Sequence, residues 1–345
     1  MKRGKVQNQG LRLATRQHTR GRLLSRRELL SLFNGAAFTW PLNARAQMPY
    51  IPMLGFLDSS VAIRAKLAAY YEGLRIEGFF RNQNVMFEYH SAEGNYDRLP
   101  ALAADLVKRG VALIGTAGIP AALAAKAAIT TIPIVFAAES DPLQVGLVTS
   151  LNRPGGNVTG IADAAREQRK LELLHELIPE ATMFALLVNP TNPNAEVQTR
   201  DMLGVAGKMG LQINVLHASA DGDFENVFAT LSKLRAGGLA IGGDDFFLGR
   251  STQLAALADR SMMPAIFQHR EFVASGGLMS YGGDLTEIYH QAGVYSGLLL
   301  KGAKAADLPV YQSQKINFIV NLRTARSLGI TFPLALLKGA NEVLQ

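Results

Sequence analysis

The chain contains a long internal duplication, and this repeat constrains its fold more than any other feature. The polar run at 220–225 mirrors the run at 92–97, and the Pro-containing apolar run at 263–267 mirrors the run at 132–136. The offset stays at about 127 to 132 residues across four elements. Stacked repeat proteins have periods of about 20 to 50 residues, so the longer period indicates a duplicated domain. A length of 345 residues also suits two domains.

Each copy alternates apolar runs of strand length with helical patterns. The predicted strands are 51–58, 85–89, 111–115 and 132–136 in the first copy, and 184–188, 212–216, 239–241 and 263–267 in the second. These strands are almost continuously apolar, which is typical of parallel sheets covered by helices on both faces. The predicted fold class is therefore α/β, with two similar lobes that each contain a parallel sheet.

Three runs rich in glycine or proline interrupt this pattern. The densest is Leu151–Gly160, and the others are 275–283 and the Leu308–Pro309 region. Such runs neither continue a helix nor favour a strand, so we interpret them as three connections that form a hinge between the lobes. The predicted boundaries are 47–157 with 282–309 for the N-terminal lobe, and 158–281 with 310–345 for the C-terminal lobe.

The basic charge of the chain is confined to its first segment. Residues 1–47 contain ten of the 35 Lys and Arg residues but only one of the 28 acidic residues, so the remainder has 25 basic and 27 acidic residues. The formal net charge of +7 therefore does not describe the folded lobes. A nucleic-acid-binding surface is not expected.

Residues 1–46 have the parts of a cleaved export signal. An Arg26-Arg27 pair precedes a weakly apolar stretch, and Ala44-Arg45-Ala46 forms an A-x-A cleavage pattern before Gln47. The arginine pair resembles a twin-arginine signal, which predicts a periplasmic protein; the alternative is a disordered basic tail. The sequence has no cysteine, which excludes a lipid anchor, disulfides and thiolate metal sites.

The motifs of common enzyme classes are missing. No G-x-G-x-x-G follows the first predicted strand, and there is neither a P-loop lysine pattern nor a G-x-S-x-G elbow. The six histidines show no metal-binding spacing. We therefore expect no enzymatic activity, no cofactor and no metal.

Open α/β sheets bind ligands outside the carboxyl ends of their strands. In a duplicated chain, this rule predicts one cleft lined by paired loops from both lobes. The candidate ligand-binding residues are Asp58, Ser59, Ser60, Thr116, Ala117, Gly118, Glu139, Ser140, Asn189, Thr191, Asp244, Asp245, Phe246, His269, Arg270 and Tyr281.

These residue types suit reversible capture of a small polar molecule. A ligand with a carboxylate and an ammonium group needs both donors and acceptors when it is desolvated. Arg270 is a candidate partner for the carboxylate, and Glu139 or Asp58 for the ammonium. Alternatively, Arg270 and Glu139 pair with each other or with residues near the hinge. Phe246 either covers an apolar part of the ligand or belongs to the core.

Several blocks together resemble one family. They are Ser25–Leu30, Tyr96–Val107, Ile132–Phe136, Leu151–Gly160, Arg270–Ala274, Gly276–Gly282 and Asn321-Leu322. The chain is similar in these blocks, the first of which lies in the leader, to ABC-transporter substrate-binding proteins, including binding proteins for aromatic amino acids. The resemblance implies a type I periplasmic-binding fold with two Rossmann-like lobes, three crossings and no catalysis. One departure is Asp245, which stands where the family pattern predicts proline and adds a negative charge near the cleft.

The leading hypothesis is a periplasmic solute-binding protein of an ABC importer. It would capture an amino acid or a related carboxylate by hinge closure and deliver it, as a monomer, to an inner-membrane permease. The alternative is a periplasmic ligand sensor that signals to a membrane receptor. An enzyme of doubly wound fold is disfavoured because the motifs above are missing, although fold alone does not decide function.

Overall fold

A computed structural model describes residues 51–60, 64–138, 140–163 and 167–345. The predicted export signal, its cleavage site and Glu139 lie outside this part of the chain. Within it, no helix is both long enough and apolar enough to cross a membrane.

The first lobe is built on a six-stranded sheet in which every neighbouring pair is parallel. Its strands are β1 (Met53–Asp58), β2 (Met86–Ser91), β3 (Leu113–Ala117), β4 (Ile134–Ala138), β5 (Val158–Asp163) and β11 (Tyr311–Ser313). Their spatial order is β11-β5-β4-β3-β1-β2. The centre of the sheet is buried on both faces, which explains the continuous apolar runs in the sequence.

Helices cover both faces of the first sheet. They are α1 (Arg64–Ile76), α2 (Leu99–Lys108), α3 (Ile119–Ala128) and α10 (Leu285–Leu300). Helices α2 and α3 contribute to one hydrophobic cluster, and α1 and α10 to the other. The last two approach so closely that a Cβ atom on Gly73 would lie 2.0 Å from the backbone oxygen of His290. The lack of a side chain at Gly73 therefore allows α1 and α10 to pack this closely.

The second lobe repeats this architecture on a seven-stranded sheet. Its strands are β6 (Met183–Val188), β7 (Gln212–His217), β8 (Leu239–Ile241), β9 (Ala265–Phe267), β10 (Met279–Gly283), β12 (Ile316–Asn321) and β13 (Glu342–Leu344). The order is β13-β12-β10-β9-β8-β6-β7, and only the β10–β12 pair is antiparallel. The predicted fold class is confirmed, with one antiparallel pair that the sequence pattern did not indicate.

Eight helices of the second lobe lie in the described residues. They are α4 (Glu167–Leu177), α5 (Ala195–Met209), α6 (Asp223–Leu234), α7 (Asp245–Leu248), α8 (Ser251–Arg260), α9 (Arg270–Ala274), α11 (Leu322–Ser327) and α12 (Leu334–Gly339). Helices α6 to α9 enclose one hydrophobic cluster, and α4, α5, α11 and α12 enclose the other. The sheet thus has a core on each face.

The chain crosses between the lobes three times, as predicted, but two of the crossings lie elsewhere. The crossings fall between β5 and α4, between β10 and α10, and between β11 and β12. Strand β5 pairs with β4, and β11 pairs with β5. Residues 158–163 and 311–313 therefore belong to the first lobe, and the predicted boundaries after 157 and 309 are wrong. Strand β10 extends the second lobe to Gly283.

The run Leu151–Gly160 is not itself a crossing. Its Leu151 oxygen accepts a hydrogen bond from Val310 N at 2.7 Å, and the Asn157 side chain donates to Ile132 O at 2.7 Å. Both contacts keep the run within the first lobe. Gly155 and Gly156 have φ values of 73° and 60°, so this glycine pair forms a turn that leads into β5.

Candidate ligand-binding site

The carboxyl ends of the central strands of both sheets meet at a cleft. A small cavity of about 30 Å³ lies there, which is room for about one water molecule. Its walls come from both lobes: Gly118, Ile119, Pro120 and Ser140 from the first, and Asn192, Asn194, Gly243, Asp244, Asp245 and Gln268 from the second. Four of the residues expected at the cleft, Gly118, Ser140, Asp244 and Asp245, meet at this point.

A larger chamber of about 850 Å³ adjoins the small cavity, with which it shares Ser140 and Asn194. The chamber extends from helix α5 to the crossings, where Asp163, Tyr281 and Gln312 line it. Most of its other walls are polar, including Asp141, Gln144, Gln168, Glu172, Gln198, Asp201 and Gln314. Together the two spaces form a polar cleft with a narrow inner end.

The turn after β1 is held by its own side chains. Asp58 Oδ1 accepts hydrogen bonds from the backbone nitrogen and the hydroxyl of Ser60, both at 2.8 Å, and Oδ2 accepts one from the Tyr89 hydroxyl at 2.9 Å. Burial raises the pKa of Asp58, although the positive charge of Lys66 opposes the shift. Ser59 Oγ accepts a hydrogen bond from Ala121 N at 3.0 Å. This turn positions the loop against the start of α3.

The turn after β3 brings the first lobe into contact with the second. Gly118 precedes α3 with φ of 84°, and a Cβ atom there would lie 1.9 Å from Asp245 Oδ2. Both the backbone conformation and the close approach require glycine. Next to it, Ala117 is buried, and the buried Thr116 Oγ1 has no hydrogen-bond partner within the described residues.

Asp244 is surrounded by hydrogen-bond donors. Its side chain caps α7 by accepting from Phe246 N at 2.8 Å and Phe247 N at 3.1 Å. It also accepts from Asn192 Nδ2 at 2.7 Å and from the Tyr96 hydroxyl of the first lobe at 2.9 Å. Burial raises the pKa of Asp244, and these hydrogen bonds oppose the shift. Asp244 therefore organises the loop and also joins the lobes.

A second contact between the lobes is ionic. Lys66 Nζ from α1 lies 3.9 Å from Asp245 Oδ1, and the two side chains are 3% and 10% exposed. The same ammonium group lies 5.2 Å from the centre of the Tyr289 ring. Because both charges are shielded from water, their attraction is stronger than that of a surface pair.

A second buried lysine and a buried histidine lie around the inner end of the cleft. Lys170 is buried, and its Nζ donates to Ile241 O at 2.8 Å. The pKa of the buried His269 lies well below its usual value, first because of burial and then because of the positive charges of Lys66 and Lys170. His269 is therefore neutral at pH 7, and its Nε2 lies 3.1 Å from Gln268 Nε2.

The sequence matches a family model described as "ABC transporter substrate binding protein" over residues 58–344. The chain belongs to this family. The predicted resemblance is thereby confirmed, as is the expectation that the chain is a substrate-binding protein rather than an enzyme.

Relatives of this substrate-binding protein support the same assignment. A tyrosine-binding protein of Clostridioides difficile (strain R20291) is 26% identical over 260 residues, which are 75% of each chain. An ABC domain from Streptococcus pneumonia in complex with L-Trp is 25% identical, with a TM-score of 0.77 over 85% of this chain and 99% of that one. A conserved domain protein from Vibrio cholerae, also 25% identical, has a TM-score of 0.79 with the same coverage. The fold is therefore that of type I periplasmic binding proteins.

The predicted binding residues of this substrate-binding protein fall into distinct groups. Gly118, Ser140, Asp244 and Asp245 line the small cavity, and Tyr281 lines the chamber. Seven others are buried and line neither space: Asp58, Ser59, Ser60, Thr116, Ala117, Asn189 and His269. Thr191 is exposed and its hydroxyl donates to Asn189 Oδ1 at 2.8 Å. Glu139 lies outside the described residues.

Arg270 does not line the cleft cavities. Its guanidinium forms a bidentate pair with Glu342, at 2.6 and 2.9 Å, and its side chain is 54% exposed. The role of Arg270 toward a ligand carboxylate stays a prediction, since α9 directs this residue toward β13 here. Glu139, the first of the alternative partners considered from the sequence, lies outside the described residues.

Phe246 belongs to the core rather than to the cavity wall. Its ring stacks on Phe224 with centroids 5.8 Å apart, and the Arg250 guanidinium covers it at 3.8 Å. The residue is 3% exposed. Between the two interpretations offered by the sequence, the structure supports the core.

Four of the residues that sequence reasoning missed and that the structure brings to the cleft are Lys66, Tyr96, Asn194 and Gln198. Lys66 and Tyr96 lie in or beside helices, where polar residues usually indicate solvent exposure. Asn194 immediately precedes α5, so its position before a helix was a usable signal. The other three residues approach the cleft only because the lobes pack together, so no local sequence pattern indicates them.

Proposed function

We propose that this chain is a periplasmic solute-binding protein of an ABC importer that captures an amino acid or a related small polar ligand between its lobes. The observation that carries the proposal is the polar cleft, whose inner end is walled by residues of both lobes. Acceptors such as Asp245 and donors such as Gln268 occur side by side there, which suits a ligand with groups of both kinds.

Capture by lobe closure is part of the proposal. A ligand that contacts both lobes binds the closed form more tightly than the open form. Only this difference in affinity shifts the equilibrium between the two forms. The inner cavity of about 30 Å³ is far smaller than an amino acid, so we infer that the lobes separate to admit the ligand. The three crossings are the segments that would absorb this motion.

An amino-acid ligand is supported by the relatives. One is named a tyrosine-binding protein, and another was crystallised with L-Trp. The adjoining chamber of about 850 Å³ is large enough for an aromatic side chain, and the Tyr281 side chain lines it. We therefore propose aromatic amino acids as the first ligands to test.

The location and the partner are also proposals. The basic leader with its A-x-A pattern supports export to the periplasm. The family supports delivery of the ligand to a membrane permease. We propose that the mature protein acts there as a monomer.

The only tryptophan in the sequence is Trp40, which would be removed with the leader. The fluorescence of added L-tryptophan can therefore be followed without a protein background. We expect saturable binding together with a higher melting temperature. At 100 times the dissociation constant, a ligand adds about 2.7 kcal/mol of stability. If none of the twenty amino acids binds or raises the melting temperature, the amino-acid proposal is wrong.

A further inference from the structure

The narrow inner cavity contains an acceptor that the protein itself does not satisfy. Asn194 is 3% exposed, and its Oδ1 has no hydrogen-bond partner within the part of the chain that the structure describes. Asn194 lines the cavity and also borders the chamber. A buried acceptor without a donor is energetically unfavourable, so a ligand that brings a donor to this oxygen gains binding free energy.

The two neighbouring aspartates have different roles. Asp244 accepts from two backbone nitrogens of α7, from Asn192 and from Tyr96. These donors occupy its oxygens, so Asp244 is a structural residue of the loop. Asp245 lies in the cavity wall and faces the first lobe, with Oδ2 beside Gly118 and Oδ1 3.9 Å from Lys66 Nζ.

Asp245 is the acid of the cavity wall that bears on the charge of the ligand. Burial raises the pKa of Asp58 and Asp244, which favours their neutral forms and removes them from the local charge balance. His269 adds no positive charge at pH 7, because burial lowers its pKa. A carboxylate ligand would meet Asp245 at this point, whereas an ammonium group would meet an anion and the acceptor of Asn194.

We propose that the small cavity is an ammonium subsite in which Asp245 provides the charge and Asn194 Oδ1 accepts a hydrogen bond. The ligand then enters with its amine toward α5 and α7, and the rest of the molecule occupies the adjoining chamber. This inference rests on the proposed function and adds the orientation of the ligand and the group that it must carry. Asp245 is thereby a specificity-determining residue.

Three related probes test which group the cavity recognises. They are L-tryptophan, tryptamine, which lacks the carboxylate, and 3-indolepropionate, which lacks the amine. We expect tryptamine to bind within about tenfold of L-tryptophan, and 3-indolepropionate to bind about 10- to 100-fold more weakly. One hydrogen bond to a charged group contributes about 1.5 to 3 kcal/mol, and 1.4 kcal/mol is a factor of ten.

Substitutions link this preference to the cavity. Asp245→Asn should weaken both amine probes about 10- to 100-fold and leave 3-indolepropionate unchanged or tighter, because the substitution removes the negative charge beside Lys66. Asn194→Ala should weaken the amine probes about tenfold. Asp307→Asn is the matched control, since Asp307 is exposed and lines neither the cavity nor the chamber, and it should keep the wild-type affinities for all three probes. Melting temperatures establish that each variant is folded.

The outcomes separate this inference from the proposed function. If 3-indolepropionate binds as tightly as L-tryptophan, or if Asp245→Asn weakens all three probes equally, the ammonium subsite is wrong while amino-acid binding stands. If none of the three probes binds to the wild-type protein, both proposals are contradicted. The series of probes on the wild-type protein gives a result even if a variant does not fold.

Discussion

The Tyr96 hydroxyl of the first lobe donates a 2.9 Å hydrogen bond to Asp244 Oδ2 of the second lobe. The two residues are 148 positions apart in the sequence, and the same hydroxyl accepts a hydrogen bond from Phe246 N at 3.2 Å. One side chain of the first lobe thus satisfies two polar groups at the start of α7. This contact holds the lobes together on one side of the cleft.

Replacing Tyr96 with phenylalanine should favour separation of the lobes. The variant loses a hydrogen bond to a buried acid, which costs about 1 to 3 kcal/mol. We expect a larger radius of gyration for the ligand-free protein in small-angle X-ray scattering, together with weaker ligand binding. Tyr311→Phe is the control, because the exposed Tyr311 hydroxyl contacts Glu287 at 2.9 Å, away from α7. Equal behaviour of the two variants would contradict a role for Tyr96 in closure.

Replacing Gly118 with alanine should prevent the lobes from meeting. The new methyl group would lie 1.9 Å from Asp245 Oδ2, and the φ of 84° with ψ of 156° adds backbone strain of about 1 to 3 kcal/mol. Gly78→Ala isolates the strain, since Gly78 has φ of 79° and a Cβ atom there would have no neighbour within 4 Å. We expect both variants to have a lower melting temperature, but at least a tenfold loss of affinity, by titration calorimetry, only for Gly118→Ala.

Replacing Gly73 with alanine should destabilise the first lobe. A Cβ atom there would lie 2.0 Å from His290 O and 2.8 Å from Val294 N, so α1 and α10 must move apart. Overpacking of this kind costs about 1 to 3 kcal/mol. Gly204→Ala, in the middle of α5 with open space around it, should instead stabilise by about 0.5 to 1 kcal/mol. Urea denaturation distinguishes the two, and a neutral Gly73→Ala would contradict the tight packing.

His269 should make the protein less stable in mild acid. Its pKa in the folded state lies well below the ordinary 6.5, so below about pH 6.5 the unfolded chain binds a proton that the folded chain does not. The free energy of unfolding therefore falls as pH decreases below 6.5, by at most about 1.4 kcal/mol per pH unit. His269→Gln should lose less stability than the wild type between pH 7.5 and 5.5 in urea titrations. Parallel curves for the two proteins would exclude this contribution.

Arg270→Ala should leave ligand affinity within about threefold of the wild type. The guanidinium is engaged by Glu342 at the surface, and exposed ion pairs contribute about 0 to 1 kcal/mol to stability. Glu342→Ala should produce the same small change in melting temperature. Titration calorimetry with L-tryptophan tests this prediction. A large loss of affinity for Arg270→Ala, but not for Glu342→Ala, would show that Arg270 contributes to ligand binding.

Most of the fold could be predicted from the sequence, because local periodicity determines which segments form helices and strands. The predicted strands 184–188 and 212–216 fall within β6 and β7. Predicted strands such as 111–115 and 132–136 lie two residues too early, since β3 and β4 begin at Leu113 and Ile134. Apolar character continues beyond the hydrogen-bonded ladder, so composition alone does not locate the strand ends.

The sequence by itself determined the duplication, the two α/β lobes, the loops at the strand ends and the family. These properties follow from repeated local patterns, which do not depend on how the lobes are placed. Only the tertiary structure decided that β5 and β11 belong to the first sheet, since strand neighbours are set by backbone pairing between distant segments.

The tertiary structure also decided which polar side chains meet. Arg270 pairs with Glu342, 72 residues away, while Lys66 approaches Asp245 across the cleft. The sequence does not show which charged residues become buried. Burial strengthens the electrostatic interactions of these residues, and it arises only when the lobes pack. For that reason Asn194 and Asp245, rather than Arg270, become the residues proposed to recognise the ligand.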